Sequence, residues 1–104
     1  MTLKEFIKLI CPTSSIRVLI CRQYSESQVY YFVAEGTINT IFYDVDKFIL
    51  MIGNPLLEYV ADNEVIQVEP CNDGPSHNVM TVNGIEVVNT ILTIVVNENK
   101  LQGR

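Results

Sequence analysis

The residues best equipped for chemistry fall between positions 71 and 77, where Cys71 and Asp73 precede His77, the only histidine of the chain. Thiol, carboxylate and imidazole in one short segment could hold a metal ion or pair as a Cys–His nucleophile. A structural zinc site asks for four ligands in recognisable pairs, and this Gly74-Pro75 loop offers one local cluster. Thiol catalysis asks for an imidazole held against the thiolate by a third group. His77 therefore reads as a solvated loop residue. The sequence holds no phosphate-cradling glycine loop, no Gly-x-Ser-x-Gly elbow and no His-Glu-x-x-His pair. Glu58 and Asp62, four apart, would share a helix face, but nothing in the pattern buries either, so a raised pKa for acid–base work has no support. The expectation is a protein with no catalytic residue, no metal and no cofactor.

Binding chemistry is better represented. Tyr24, Tyr30 and Tyr31 lie close in sequence to Arg17 and Arg22. Stacking and phosphate pairing by Arg17, Arg22, Tyr24 and Tyr30 would suit a small nucleotide, as in a homo-oligomeric sponge for a nucleotide signal. Tyrosine is also a favoured strand residue, and cross-strand packing explains most such clusters. A second candidate is acidic. Between Lys47 and Lys100 there is no Lys or Arg, while Glu58, Asp62, Glu64, Glu69, Asp73, Glu86 and Glu98 fall in that stretch. Exposed carboxylates can occupy a basic groove on a protein partner, and Glu58, Asp62 and Glu64 are the candidate contacts. The plainer account of the same charge is solubility.

The elements that must position these groups follow from periodicity. Thr2-Leu3-Lys4-Glu5 has the form of a capping box, and Leu3, Phe6, Ile7 and Ile10 continue at helical spacing, so residues 2–10 are expected to be helical until Pro12 removes an amide donor. Residues 15–22 alternate as a strand, residues 28–34 return as a second, and residues 37–42 are expected to continue it past Gly36. Asp44 is a candidate N-cap for a helix with Val45, Phe48, Ile49 and Ile52 on one face, the alternative being a strand. Gly53 suits the end of that helix, and Asn54-Pro55 the start of another running to about Ala61. Residues 64–69 and 91–96 read as strands, the latter apolar on both faces as a central strand would be. Asn83-Gly84, between residues 79–82 and 85–88, is the strongest hairpin signal in the chain.

Composition sets the bounds. A chain of 104 residues suffices for one domain, residues 1–104, with its own core. Apolar residues make up 48% and charged residues 18%, against roughly 25% charged in an average domain. That surplus favours an interface, with a partner or with further copies of the chain. The run Phe48–Ile52 is apolar nearly all round as a helix, which makes Phe48, Leu50 and Met51 candidate interface residues. No apolar run approaches the ~20 residues needed to cross a bilayer, and the start lacks the apolar stretch of a signal peptide. Three widely spaced cysteines suit reduced thiols in a cytoplasm. At a net charge of −5 the chain lacks the basic footprint of a nucleic-acid binder. The fold class expected is α+β: an N-terminal helix and one or two mid-chain helices on a mostly antiparallel sheet of about five strands.

The opening Met1-Thr2-Leu3-Lys4-Glu5-Phe6-Ile7 resembles the start of many short proteins from phages and mobile elements of Gram-positive bacteria. The likeness extends through Ile16-Arg17-Val18, Tyr31-Phe32-Val33-Ala34-Glu35-Gly36, Leu56-Leu57-Glu58-Tyr59-Val60, Val65-Ile66-Gln67-Val68-Glu69 and Leu92-Thr93-Ile94-Val95-Val96. It is one of pattern, and no catalytic motif travels with it. The Asn83-Gly84 hairpin has no counterpart in the shorter members. The resemblance implies a phage accessory protein of the bacterial cytoplasm that acts against host defences by binding, in the style of small acidic anti-CRISPR proteins that block Cas nucleases. A structural or assembly protein of the phage is the remaining alternative.

Overall fold

The computed structural model describes residues 1–71, 79–83, 85–88 and 91–98. Thr2 caps helix α1 (Leu3–Ile7): the Glu5 amide donates to Thr2 Oγ1 at 3.2 Å, and the Thr2 amide donates to Glu5 Oε1 at 3.0 Å. The capping box is thus present, but the helix is shorter than residues 2–10. Beyond Ile7 the amides of Leu9 and Ile10 bond three residues back, to Phe6 and Ile7, which tightens the chain into turns ahead of Pro12.

Strands β1 (Ser15–Gln23) and β2 (Gln28–Thr37) form the expected hairpin, with a bulge opposite Val18/Leu19. Residues 38–41 depart from expectation. They form a single helical turn, α2 (Ile38–Ile41), because the amides of Ile38 and Asn39 donate to the carbonyls of Ser14 and Pro12 instead of to a neighbouring strand. Gly36, at φ 152°, adopts a backbone conformation that other residues rarely take, and a Cβ there would sit 3.2 Å from Thr40 Oγ1.

The helix expected from Val45 is replaced by β3 (Phe42–Asp44) and β4 (Ile49–Leu50), paired antiparallel across a turn. Asp44 does act as a cap, accepting the Lys47 amide at 3.2 Å, but Phe48 then takes φ 56° and ends the turn after one round. Tertiary packing decides the outcome: the Phe48 ring meets Phe42 edge-on at 4.9 Å. Helix α3 (Pro55–Tyr59) begins as expected, with Asn54 as N-cap and Pro55 in the first turn. Strands β5 (Val65–Cys71), β6 (Val79–Val82), β7 (Ile85–Val88) and β8 (Ile91–Asn97) complete the order. The β6–β7 register, Val82 opposite Ile85, is that of the two-residue loop expected at Asn83-Gly84. Asn83 has the positive φ of 53° that such a turn needs, and Gly84 lies outside the described residues.

The class is α+β. A four-stranded sheet runs β2-β1-β8-β5, with β3–β4 and β6–β7 as separate two-stranded ladders. Two of its pairings are antiparallel, while β1 and β8 are parallel. That register sets Ile16, Val18 and Ile20 on the same face as Leu92, Ile94 and Val96. Leu3, Ile7, Ile38, Phe42, Leu57 and Val60 pack on this face and close the core. Ile91, Thr93 and Val95, on the opposite face of β8, are buried as well, so β8 is central in fact. No described helix is long and apolar enough to cross a membrane.

Candidate partner-binding surface

Asn54 organises the most distinctive surface of the described molecule. Its Oδ1 accepts the Leu57 amide at 3.1 Å, capping α3, while its Nδ2 donates to the carbonyl of Val33 at 3.2 Å. One side chain therefore starts a helix and fastens it to the outer margin of β2. Leu57, one turn into that helix, is fully buried in the core. The Met51 amide donates to the Ile41 carbonyl at 2.9 Å and holds the chain leaving β4 alongside α2. Between these ties lies a groove of about 310 Å³, lined by Phe32–Glu35 of β2, Thr40 and Ile41 of α2, and Leu50, Ile52, Gly53, Asn54 and Leu57.

Of the lining residues, Ile52 is 82% exposed and Phe32 is exposed too; Met51, 56% exposed, is next to Ile52 in the chain, and Ile49, Tyr43, Leu56 and Tyr59 are exposed apolar residues of the neighbouring segments. Of the three interface residues expected from sequence, Met51 is the exposed one. Phe48 and Leu50 are half-buried and pack against the core, with Leu50 also lining the groove. The reason is the change of period. As a β-hairpin the segment turns Leu50 inward and Ile49 and Met51 outward, whereas a helix would have presented Leu50.

The acidic candidates are dispersed along the α3–β5 connection. Glu58 is exposed on α3; Asp62 lies 3.8 Å from Lys4 Nζ, and Glu64 meets the Met1 amine at 2.9 Å. That pairing, with Glu64 as hydrogen-bond acceptor first and as opposite charge second, raises the pKa of the amine. Two of the three carboxylates thus spend part of their charge in fastening α1 to the segment before β5.

The aromatic and cationic candidates do gather on the first hairpin, but in mutual pairs. Arg22 donates through Nε and Nη2 to both oxygens of Glu98, and its guanidinium lies 5.1 Å from the centre of the Tyr31 ring. Tyr24 and Tyr31 join their hydroxyls at 3.1 Å. That hydrogen bond lowers the Tyr24 pKa, aided by Arg22, and raises that of Tyr31, against the pull of the Arg22 charge. Arg17 Nε donates to Glu35 at 3.0 Å across the strands, and Tyr30 donates to Gln28. A phosphate would have to displace Glu35 from Arg17 or Glu98 from Arg22. Charge-assisted pairs within the sheet account for this cluster.

Of the first chemical candidates, Cys71 ends β5, and Asp73 and His77 lie outside the described residues. Cys11 is exposed, with its pKa lowered chiefly by a hydrogen bond with the Thr13 hydroxyl, and Cys21 is buried. The groove escaped the sequence reading because its walls, Val33 and Asn54, are far apart in the chain. The Asn54 cap itself was legible. Comparison with protein-family models, with curated proteins and with solved structures finds no match to this chain.

Proposed function

We propose that this protein is a non-enzymatic binder that acts by protein–protein contact, taking an apolar side chain of its partner into the groove between β2 and the β4–α3 connection. The observation that carries this reading is the exposure of Ile52, which lines the groove, with exposed Met51 next to it in the chain. Apolar side chains so exposed around a concavity are what a protein interface covers. Glu58, at the start of α3 beside exposed Leu56 and Tyr59, adds a negative charge that favours a basic partner. Following the phage resemblance, we assign the partner to host defence, with a Cas nuclease as the favoured target and inhibition by occlusion as the mode.

The test is protection in cells. Bacteria whose Cas nuclease restricts a phage should plate that phage at least about tenfold better when they express this protein, a tenfold change being about 1.4 kcal/mol of binding. Ile52→Glu with Met51→Lys should abolish the gain without altering the urea midpoint, because both positions are surface. Protection that persists in this variant would contradict the groove, and no protection against any Cas nuclease would contradict the target.

A further inference from the structure

The outer edge of β2 is the least guarded backbone of the sheet. From Gln28 to Phe32 this edge strand holds no charged residue and no proline, and Tyr30, Tyr31 and Phe32 are exposed. Among the described residues, no hydrogen bond outside the β1 ladder reaches the backbone of this stretch; the Asn54 side chain takes the next carbonyl, that of Val33. A row of unpaired amides and carbonyls flanked by apolar side chains is a template for another strand. The opposite edge strand, β5, is guarded by Glu69 and Pro70, with Glu64 immediately before it.

We propose that β2 pairs antiparallel with β2 of a second copy of this chain, joining the two sheets into one. Charge selects that occupant. The free stretch is bounded by the Ser25-Glu26 turn and by the Val33 carbonyl. A two-fold axis that uses all of it falls on Tyr30, with Val29 opposite Tyr31 and Gln28 opposite Phe32. Neither copy brings a charged residue into this five-residue register. Two molecules of net charge −5 therefore meet along this edge without setting carboxylate against carboxylate. A basic partner would find no carboxylate from Gln28 to Phe32 to recognise. Aromatic residues paired across the new ladder supply the contact area. The pairing stands apart from the groove proposal, with which it shares only Phe32.

Sedimentation equilibrium and hydrogen exchange of the wild-type chain, from about 5 to about 200 µM, test this, since a small interface associates in that range. The mass should rise from one chain toward two. Amides of residues 28–32 should slow at least about fivefold at the high concentration while those of β5 keep their rates, exchange being the observable for such opening. Tyr30→Lys, which sets two ammonium groups face to face on the axis, should remain monomeric with an unchanged urea midpoint. A wild type that stays monomeric throughout would overturn the proposal. So would a dimer that protects β5 instead of β2, or one that survives Tyr30→Lys. Should that variant fail to fold, the exchange pattern of the wild type decides alone.

Discussion

The two margins of the sheet carry opposite chemistry. At β5 the edge is broken by Pro70, charged by Glu69 and approached by the N-terminal segment, which Glu64 holds through an ion pair and a bridge to Thr2. At β2 the edge is uncharged over five residues, and the chain beside it opens into a groove lined in part by exposed Ile52. Both margins are edges of one sheet and need the same backbone geometry. What differs is the treatment of the exposed hydrogen-bonding groups: β5 is guarded by Glu69 and Pro70, and β2 is left available from Gln28 to Phe32. Apolar side chains are exposed at both margins, Ile66 and Val68 on β5 among them, so the guarding of the edge backbone is what separates the two.

The sharpest way to break this contrast is to remove what supports the available side. Leu57 is fully buried beneath the groove, and Leu57→Ala should cost about 2–5 kcal/mol, read as a lower urea midpoint. A loss below about 1 kcal/mol would mean that α3 is not anchored through the core.

A matched pair of caps compares the two margins directly. Asn54 caps α3 and also holds the Val33 carbonyl, whereas the Thr2 side chain caps α1 alone. Thr2→Ala should cost about 1 kcal/mol, and Asn54→Ala more, toward about 2 kcal/mol, because a tertiary bond is lost with the cap. Equal costs in the two variants would mean that the tie to β2 contributes nothing.

The α1 box adds a small pH dependence. The Glu5 carboxyl is held below its usual range, first by the Thr2 amide it accepts. A depressed folded pKa contributes stability that is present above the ordinary carboxylate range and lost as pH falls through the lowered value. The penalty of Glu5→Ala should therefore be full at neutral pH and fade in acid, measured as urea midpoints across a pH series.

Local signals in the sequence proved dependable where a few neighbouring residues decide the geometry. The Thr2–Glu5 box, the Asn54-Pro55 start and the register about Asn83 all depend on contacts within four residues. The reading failed where distant partners decide. Phe48–Ile52 has no clear period because nearly every position is apolar, and the packing of Phe48 on Phe42 settles it as a turn and strand. The α2 turn depends on carbonyls of residues 12 and 14, and the parallel pairing of β1 with β8 joins the two ends of the described chain. The candidate site inherits both outcomes. Met51 is legible as exposed from its place off the apolar stripe, Leu50 is half-buried between core and groove, and Ile52 and the groove emerge only once β2 and α3 are side by side.

If contact is made at the β2 margin and not at β5, one added carboxylate must act differently at the two. Ile52→Glu and Gln67→Glu each add one carboxylate at an exposed position, the first at the groove rim and the second on β5. In the phage-plating assay, Ile52→Glu should lose protection by at least about tenfold while Gln67→Glu stays within about twofold of wild type, since surface changes away from an interface are nearly neutral. Equal loss in both variants, or loss in Gln67→Glu alone, would contradict the assignment of function to the β2 side.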